Sequence, residues 1–120
     1  ITASRAISLF NENNRLSRKI VAEYREDGTL RRELVTTYDA GEQALAKTET
    51  LCGANGARET ELVFQGDLEK PVYERRYSHK FDKKGNWIEE RKIRLTLYGN
   101  KRFEDPKIAP QIIKREITYY

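Results

Sequence analysis

The chain holds one His, one Cys and no Met, and these scarce residues bound its chemistry first. His79 lies between Ser78 and Lys80 in a stretch of strand-like alternation. Adjacent residues of a pleated strand point to opposite faces, so Ser78 and His79 do not form the front of a nucleophilic triad. Cys52 has no partner for an intrachain disulfide. The run Leu51-Cys52-Gly53-Ala54-Asn55-Gly56 reads as a strand end entering a turn, around an inert, half-buried thiol with no flanking base. The sequence has no Cys/His metal spacing, no phosphate-cradling Gly loop ahead of a helix and no EF-hand loop, so neither metal nor cofactor is expected. Among 19 Asp and Glu residues some pair always exists, but no spacing selects one for acid-base work. Asp27, Asp39, Asp67 and Asp82 fall at turns, where a carboxylate ordinarily bonds the backbone two residues on. A noncatalytic protein is expected, with a hydrolase acting through turn carboxylates as the enzymatic alternative.

Two binding chemistries compete with a purely structural role. Trp87, with Tyr73, Tyr77 and Tyr98, supplies flat faces on which sugar rings could stack, and core packing is the rival use of Trp87. Lys80, Lys83, Lys84, Arg91, Lys92 and Arg94 would serve as phosphate contacts for a nucleic acid, with Tyr77, Phe81 and Trp87 as stacking platforms. Acidic residues interrupt every basic cluster, as in Glu89-Glu90-Arg91-Lys92, which disfavours nucleic acid. The formal charge is +4, and residues 61–120 supply all of it, with 14 basic against 10 acidic side chains.

Whatever the role, 120 residues make a single domain, 1–120, and 38% apolar against 35% charged side chains give it a thin core. No apolar run approaches the roughly 20 residues that span a bilayer as a helix, and no secretory leader pattern opens the chain. With no Met, Ile1 is not a translation start, so a processed product or part of a longer polypeptide is expected.

Three segments align without gaps: Phe10-Asn11-Glu12-Asn13-Asn14-Arg15-Leu16, Tyr24-Arg25-Glu26-Asp27-Gly28-Thr29-Leu30 and Phe81-Asp82-Lys83-Lys84-Gly85-Asn86-Trp87. In each an aromatic is followed by Gly or Asn at four and a large apolar residue at six. Asn14, Gly28 and Gly85 accept positive φ at low cost, and an even offset lets the flanking residues face each other across a hairpin. Tyr38 to Leu45 reads as a degenerate copy with one extra residue, and Phe64-Gln65-Gly66-Asp67-Leu68 as a weaker fifth.

Between the turns the chain alternates with period two: Leu16, Arg18, Ile20, Ala22 and Tyr24; Leu30, Arg32, Leu34, Thr36 and Tyr38; Tyr73, Arg75, Tyr77, His79 and Phe81; Trp87, Glu89, Arg91, Ile93, Leu95 and Leu97. Read together, these sets place Arg18, Arg32, Arg75 and Arg91 on the more apolar side of the strands, with aliphatic stems lying over aromatics. Ile112 to Tyr120 reads as a last strand after a loop holding Pro106 and Pro110. The expected fold is all-β, an antiparallel meander of repeated hairpins in an extended or curled sheet.

Phe81-Asp82-x-x-Gly85-Asn86-Trp87 and its companion copies resemble the tyrosine-aspartate (YD) repeats of the bacterial RHS family. Ile112-Ile113-Lys114-Arg115-Glu116-Ile117-Thr118-Tyr119-Tyr120 resembles the ending of short RHS-repeat-like bacterial proteins. The resemblance spans residues 8–98 plus the last strand. It implies hairpins wound into an extended sheet and an exported bacterial protein of the periplasm, cell surface or medium, in a family associated with surfaces and carbohydrate. The large members enclose a toxic segment, which five hairpins cannot do. The function expected is therefore a noncatalytic surface or envelope scaffold that self-associates or docks another envelope protein, with glycan binding as the alternative.

Overall fold

In a computed structural model, which describes residues 3–98, 101–104 and 109–119, the chain is all-β without a helix. Eight strands follow one another as an antiparallel meander: β1 (Ala3–Phe10), β2 (Leu16–Tyr24), β3 (Leu30–Tyr38), β4 (Ala44–Cys52), β5 (Arg58–Gln65), β6 (Tyr73–Phe81), β7 (Trp87–Tyr98) and β8 (Lys101–Glu104). A ninth, β9 (Gln111–Lys114), pairs with β7 on the edge that β8 also uses. The sheet is not closed into a barrel. Its extents of 49 × 37 × 28 Å are those of a strongly twisted single layer, since a flat one would be only about 10 Å thick.

Five of the connections are the same object. In the first, Asn11 N donates to Arg15 O and Asn14 N to Asn11 O, which closes a three-residue loop whose last residue, Asn14, takes φ 60°. Gly28, Glu42, Gly56 and Gly85 hold the equivalent position, with φ of 85°, 60°, 77° and 84°. A tight hairpin of this kind needs a left-handed residue before the outgoing strand, and Gly supplies it without a Cβ penalty. Glu42 lacks that advantage, and its carboxylate accepts the N–H of Leu16 at 3.1 Å, a bond that helps offset the backbone cost.

Phe10 faces Leu16, Tyr24 faces Leu30 and Phe81 faces Trp87, as the offset of six predicts. Two expectations about the repeat need correction, and one further copy is present. Tyr38 faces Ala44, so that copy has no insertion, and Leu45, one residue beyond, is 50% exposed. Phe64 begins no copy, because β5 and β6 are joined by the longer connection 66–72. The missing copy is Cys52 to Arg58, hidden because its clamp pairs a thiol with an arginine instead of an aromatic with a leucine.

Each hairpin also carries a one-residue register shift beside its turn, opposite Phe10, Tyr24, Tyr38, Cys52 and Phe81. The shift breaks the side-chain alternation at the start of the outgoing strand. Trp87 therefore shares a face with Phe81 and His79, while Glu89, Arg91, Ile93 and Leu95 lie on the other. Register then assigns Arg18 and Arg75 to one face and Arg32 and Arg91 to the opposite one, so the four arginines expected together are split two and two.

One face, called here the Tyr77 face, carries the row Ile20, Val35, Thr48, Val63, Tyr73 and Thr96. The other, the Glu74 face, carries Val21, Leu34, Glu49, Leu62, Glu74 and Leu95. Neither is a dry core: the buried apolar side chains are Ala22, Cys52, Val63, Phe64, Tyr77 and Leu95, and most of these lie in the half of the sheet from β5 to β7.

Because the meander alternates edges, turns 28 residues apart in sequence stand side by side. Arg25 reaches from one such turn to the next, donating to Cys52 O at 2.6 Å and Gly53 O at 2.7 Å, and to Leu30 O of its own hairpin at 3.1 Å. The last expected strand is short: regular pairing ends at Lys114, Arg115 N donates to Ile88 O, and 116–119 run on outside any strand, with Tyr120 outside the described residues.

Candidate functional site

The densest polar chemistry lies on the Tyr77 face, where β5, β6 and β7 meet. Period two on β6 sends Tyr73, Arg75, Tyr77 and His79 to this face, and the register places Thr96, Arg94, Lys92 and Glu90 of β7 directly opposite them in that order. Arg58, from the start of β5, completes the group by reaching across to β7.

Glu90 is the hub. It accepts from Arg58 through Nε at 3.1 Å and through Nη2 at 2.9 Å, a two-point fork, and lies 3.0 Å from His79 Nε2. The side chains of Glu90 and His79 are 5% and 4% exposed. The Arg58 bond, working against the desolvation of the buried carboxyl, holds Glu90 below its ordinary carboxylate range, and the same bond raises Arg58. The Arg58 guanidinium also lies over the Tyr77 ring, 4.2 Å from its centroid. The Tyr77 hydroxyl donates to Glu61, and burial, reinforced by that bond, pushes the phenol well above its usual range.

This arrangement holds charge in place and, among the described residues, brings no nucleophile into hydrogen-bond contact with His79. Ser78 faces Arg91 on the opposite side of the strand. Cys52 is buried, and burial together with Glu33 raises its thiol, so it is a poor source of thiolate. An open groove of about 450 Å³ runs beside the cluster, with Leu30, Cys52, Trp87 and Ile113 among its walls. Among the described residues no group of three or more His, Cys, Asp or Glu is arranged to hold a metal, and no helix is long and apolar enough to cross a membrane.

Tyr73, Tyr77 and Trp87 share the face, and each carries a guanidinium over its ring: Arg94 at 3.9 Å from the Tyr73 centroid, Arg58 over Tyr77, and Arg115 at 3.7 Å from Trp87. The side chain of Tyr98, at the end of β7, lies outside the described residues. The turn carboxylates are tied down locally. Asp39 and Asp82 each accept two backbone N–H groups of their own turns, Asp27 accepts from Thr29, and Asp67 from Glu69. Asp82 also accepts from the Tyr119 hydroxyl, which together with the backbone bonds lowers its carboxyl.

Sequence reading missed the Arg58–Glu90–His79 cluster, since 32 residues separate Arg58 from Glu90. A weak signal was present in the lone His, whose alternation with Tyr77 and Tyr73 marks the more buried side of β6. No protein-family model matches the chain, and neither a curated protein nor a solved structure matches it.

Proposed function

We propose that the chain is a noncatalytic β-repeat module that serves a bacterial surface or envelope as an interaction and structural scaffold, exported as its resemblance to YD repeats implies. The observation that carries this reading is the edge strand β1, which among the described residues pairs only with β2. All of Ala3–Phe10 is exposed except the half-covered Ile7, and Arg5 is its one charged residue. A row of unpaired backbone groups with so little charge is a template for another strand. The buried cluster Arg58–Glu90–His79 is closed on itself by hydrogen bonds and the Arg58–Glu90 ion pair, which supports a structural role over turnover.

Sedimentation from micromolar to millimolar concentration tests the proposal. The mass should rise with concentration, and Ala6→Lys on β1 should hold the chain monomeric. Strictly monomeric behaviour of the parent chain, with no binding to isolated envelope material, would remove its support.

The alignment of Tyr73, Tyr77 and Trp87 on one face favours a second reading, a carbohydrate-binding module. Loss of glycan binding in Trp87→Ala with unchanged far-UV spectrum and Tm supports it, whereas joint loss of binding and fold assigns Trp87 to packing.

A further inference from the structure

Two arginines meet on the Tyr77 face without enough acid between them. Arg75 and Arg94 are directly opposed across β6 and β7, a like-charge pairing that sheets ordinarily avoid. Both lie against one ring, with Arg75 at 5.1 Å and Arg94 at 3.9 Å from the Tyr73 centroid, so their guanidinium carbons are no more than about 9 Å apart. Arg75 is partly neutralised by Glu61 at 3.4 Å and fixed by the Tyr73 hydroxyl at 2.9 Å. Arg94 makes no ion pair among the described residues, and its Nε is shut off from solvent without an acceptor. Lys92, two residues before it on the same face, has no carboxylate partner among the described residues either, and its cross-strand neighbour on the outer side is the exposed Gln111.

The local charge follows from these pairings. Arg58 is matched by Glu90 and Arg75 by Glu61, which leaves Lys92 and Arg94 as two cations without a carboxylate partner among the described residues, beside a stacked aromatic base. A preset guanidinium fork, an ammonium and an amide on one sheet face recognise a planar or tetrahedral oxyanion.

We propose that Arg94, supported by Arg75 and joined by Lys92, binds the oxyanion group of an acidic saccharide, either a sulfate ester or a uronate carboxylate. The proposal rests on the carbohydrate reading for the source of the anion and is independent of the edge of β1. A nucleic acid fits less well: its duplex carries one charge per roughly 1.7 Å of axis, and Glu61 and Glu90 lie on the same sheet face as Arg94 and Lys92. A saccharide with one acidic group per ring brings fewer negative charges to the face that also carries these carboxylates.

Calorimetric titration of the full chain with a sulfated tetrasaccharide, a trimer of galacturonic acid and a neutral cello-oligosaccharide tests the proposal, with a short single-stranded DNA as competitor. Saturable binding of an acidic sugar, at least tenfold weaker for Arg94→Gln and weaker for Lys92→Gln, is the expected result. The neutral sugar should stay unbound. Arg94→Lys keeps the charge but loses the fork, and should recover only part of the affinity; circular dichroism and Tm report whether each variant is folded. Arg91→Gln, on the Glu74 face, should change affinity less than twofold. Equal weakening by Arg91→Gln, tighter binding of DNA, or no saturable binding of either acidic sugar would overturn the proposal. Equal binding of the neutral sugar that Trp87→Ala abolishes and Arg94→Gln spares would retain the stacking reading and reject this one.

Discussion

From β1 to β4 the left-handed turn positions recur at 14, 28, 42 and 56, yet only Ala22 and Cys52 there are strongly buried. From β5 to β7 the spacing breaks at the connection 66–72, yet this half holds Val63, Phe64, Tyr77 and Leu95, with Glu74 and Glu90 buried among them. The regular half has the order and the irregular half has the core. A repeated hairpin fixes strand length and pairing, but one sheet layer buries little unless long side chains lie across it. In β5–β7 those covers are Arg58, Arg94 and Arg115 over aromatic rings, the last supplied by the C-terminal segment folding back on the final hairpin.

The largest expected effect tests that contrast within one row of the Glu74 face. Leu95→Ala should cost about 3 kcal/mol in urea unfolding and the half-buried Val21→Ala about 1, because only the first leaves a cavity in close-packed surroundings. Equal losses would show that the two halves are packed alike.

Next comes the buried charge. Glu90→Ala should destabilise by about 2 to 3 kcal/mol at neutral pH, by stranding Arg58 and opening a hole, with the exposed side of Arg58 moderating the loss. Glu23→Gln, which breaks the pairs with Arg31 and Arg32 in the first half, should cost less than about 1 kcal/mol. The pH dependence has a definite sign. The Glu90 carboxyl is held below its ordinary value of 4.5, so its contribution is complete above that pH and is lost as pH falls through the folded value. Glu90→Gln should flatten this acid limb of the stability curve.

The turns should respond alike in both halves. Gly28→Ala and Gly85→Ala each force a Cβ into the left-handed region, with no neighbour within 4 Å of the added atom, and should each cost about 1 kcal/mol. A much larger loss at Gly85 alone would tie that turn to the docking of Tyr119 on Asp82.

The smallest effect is at alkaline pH. Burial and the bond to Glu61 raise the Tyr77 phenol above its ordinary value of 10.0, so its contribution is present below that pH and is lost as pH rises through the folded value. Ultraviolet titration should show Tyr77 ionising last, with Tyr119 also delayed by its bond to Asp82, and Tyr77→Phe should remove the last step.

Much of the architecture was legible because its causes are local. Asn14, Gly28 and Gly85 mark turns since few residues tolerate positive φ, and strand alternation reflects the pleat itself. The Cys52 copy escaped notice because a clamp of thiol and arginine has no aromatic signature, although its Gly56 keeps the spacing of 14. The faces were misjudged for another reason: a single extra residue beside each turn reverses the side chains that follow, and nothing in the composition of Ser17, Arg31 or Ile88 announces it. Of the candidate site, the sharing of one face by Tyr73, Tyr77 and His79 was readable on β6. The guanidinium groups over the rings were not, since Arg58, Arg94 and Arg115 come from other strands and segments.

The sequence by itself therefore determined that this protein is a ladder of hairpins with little apolar material, because turn chemistry and period two act over a few residues. The tertiary structure alone decided which charges are matched. Arg58 and Glu90 meet across 32 residues while Arg75 and Arg94 are left facing each other, because pairing across a sheet depends on the register of strands far apart in the chain, and one residue of slip exchanges every partner.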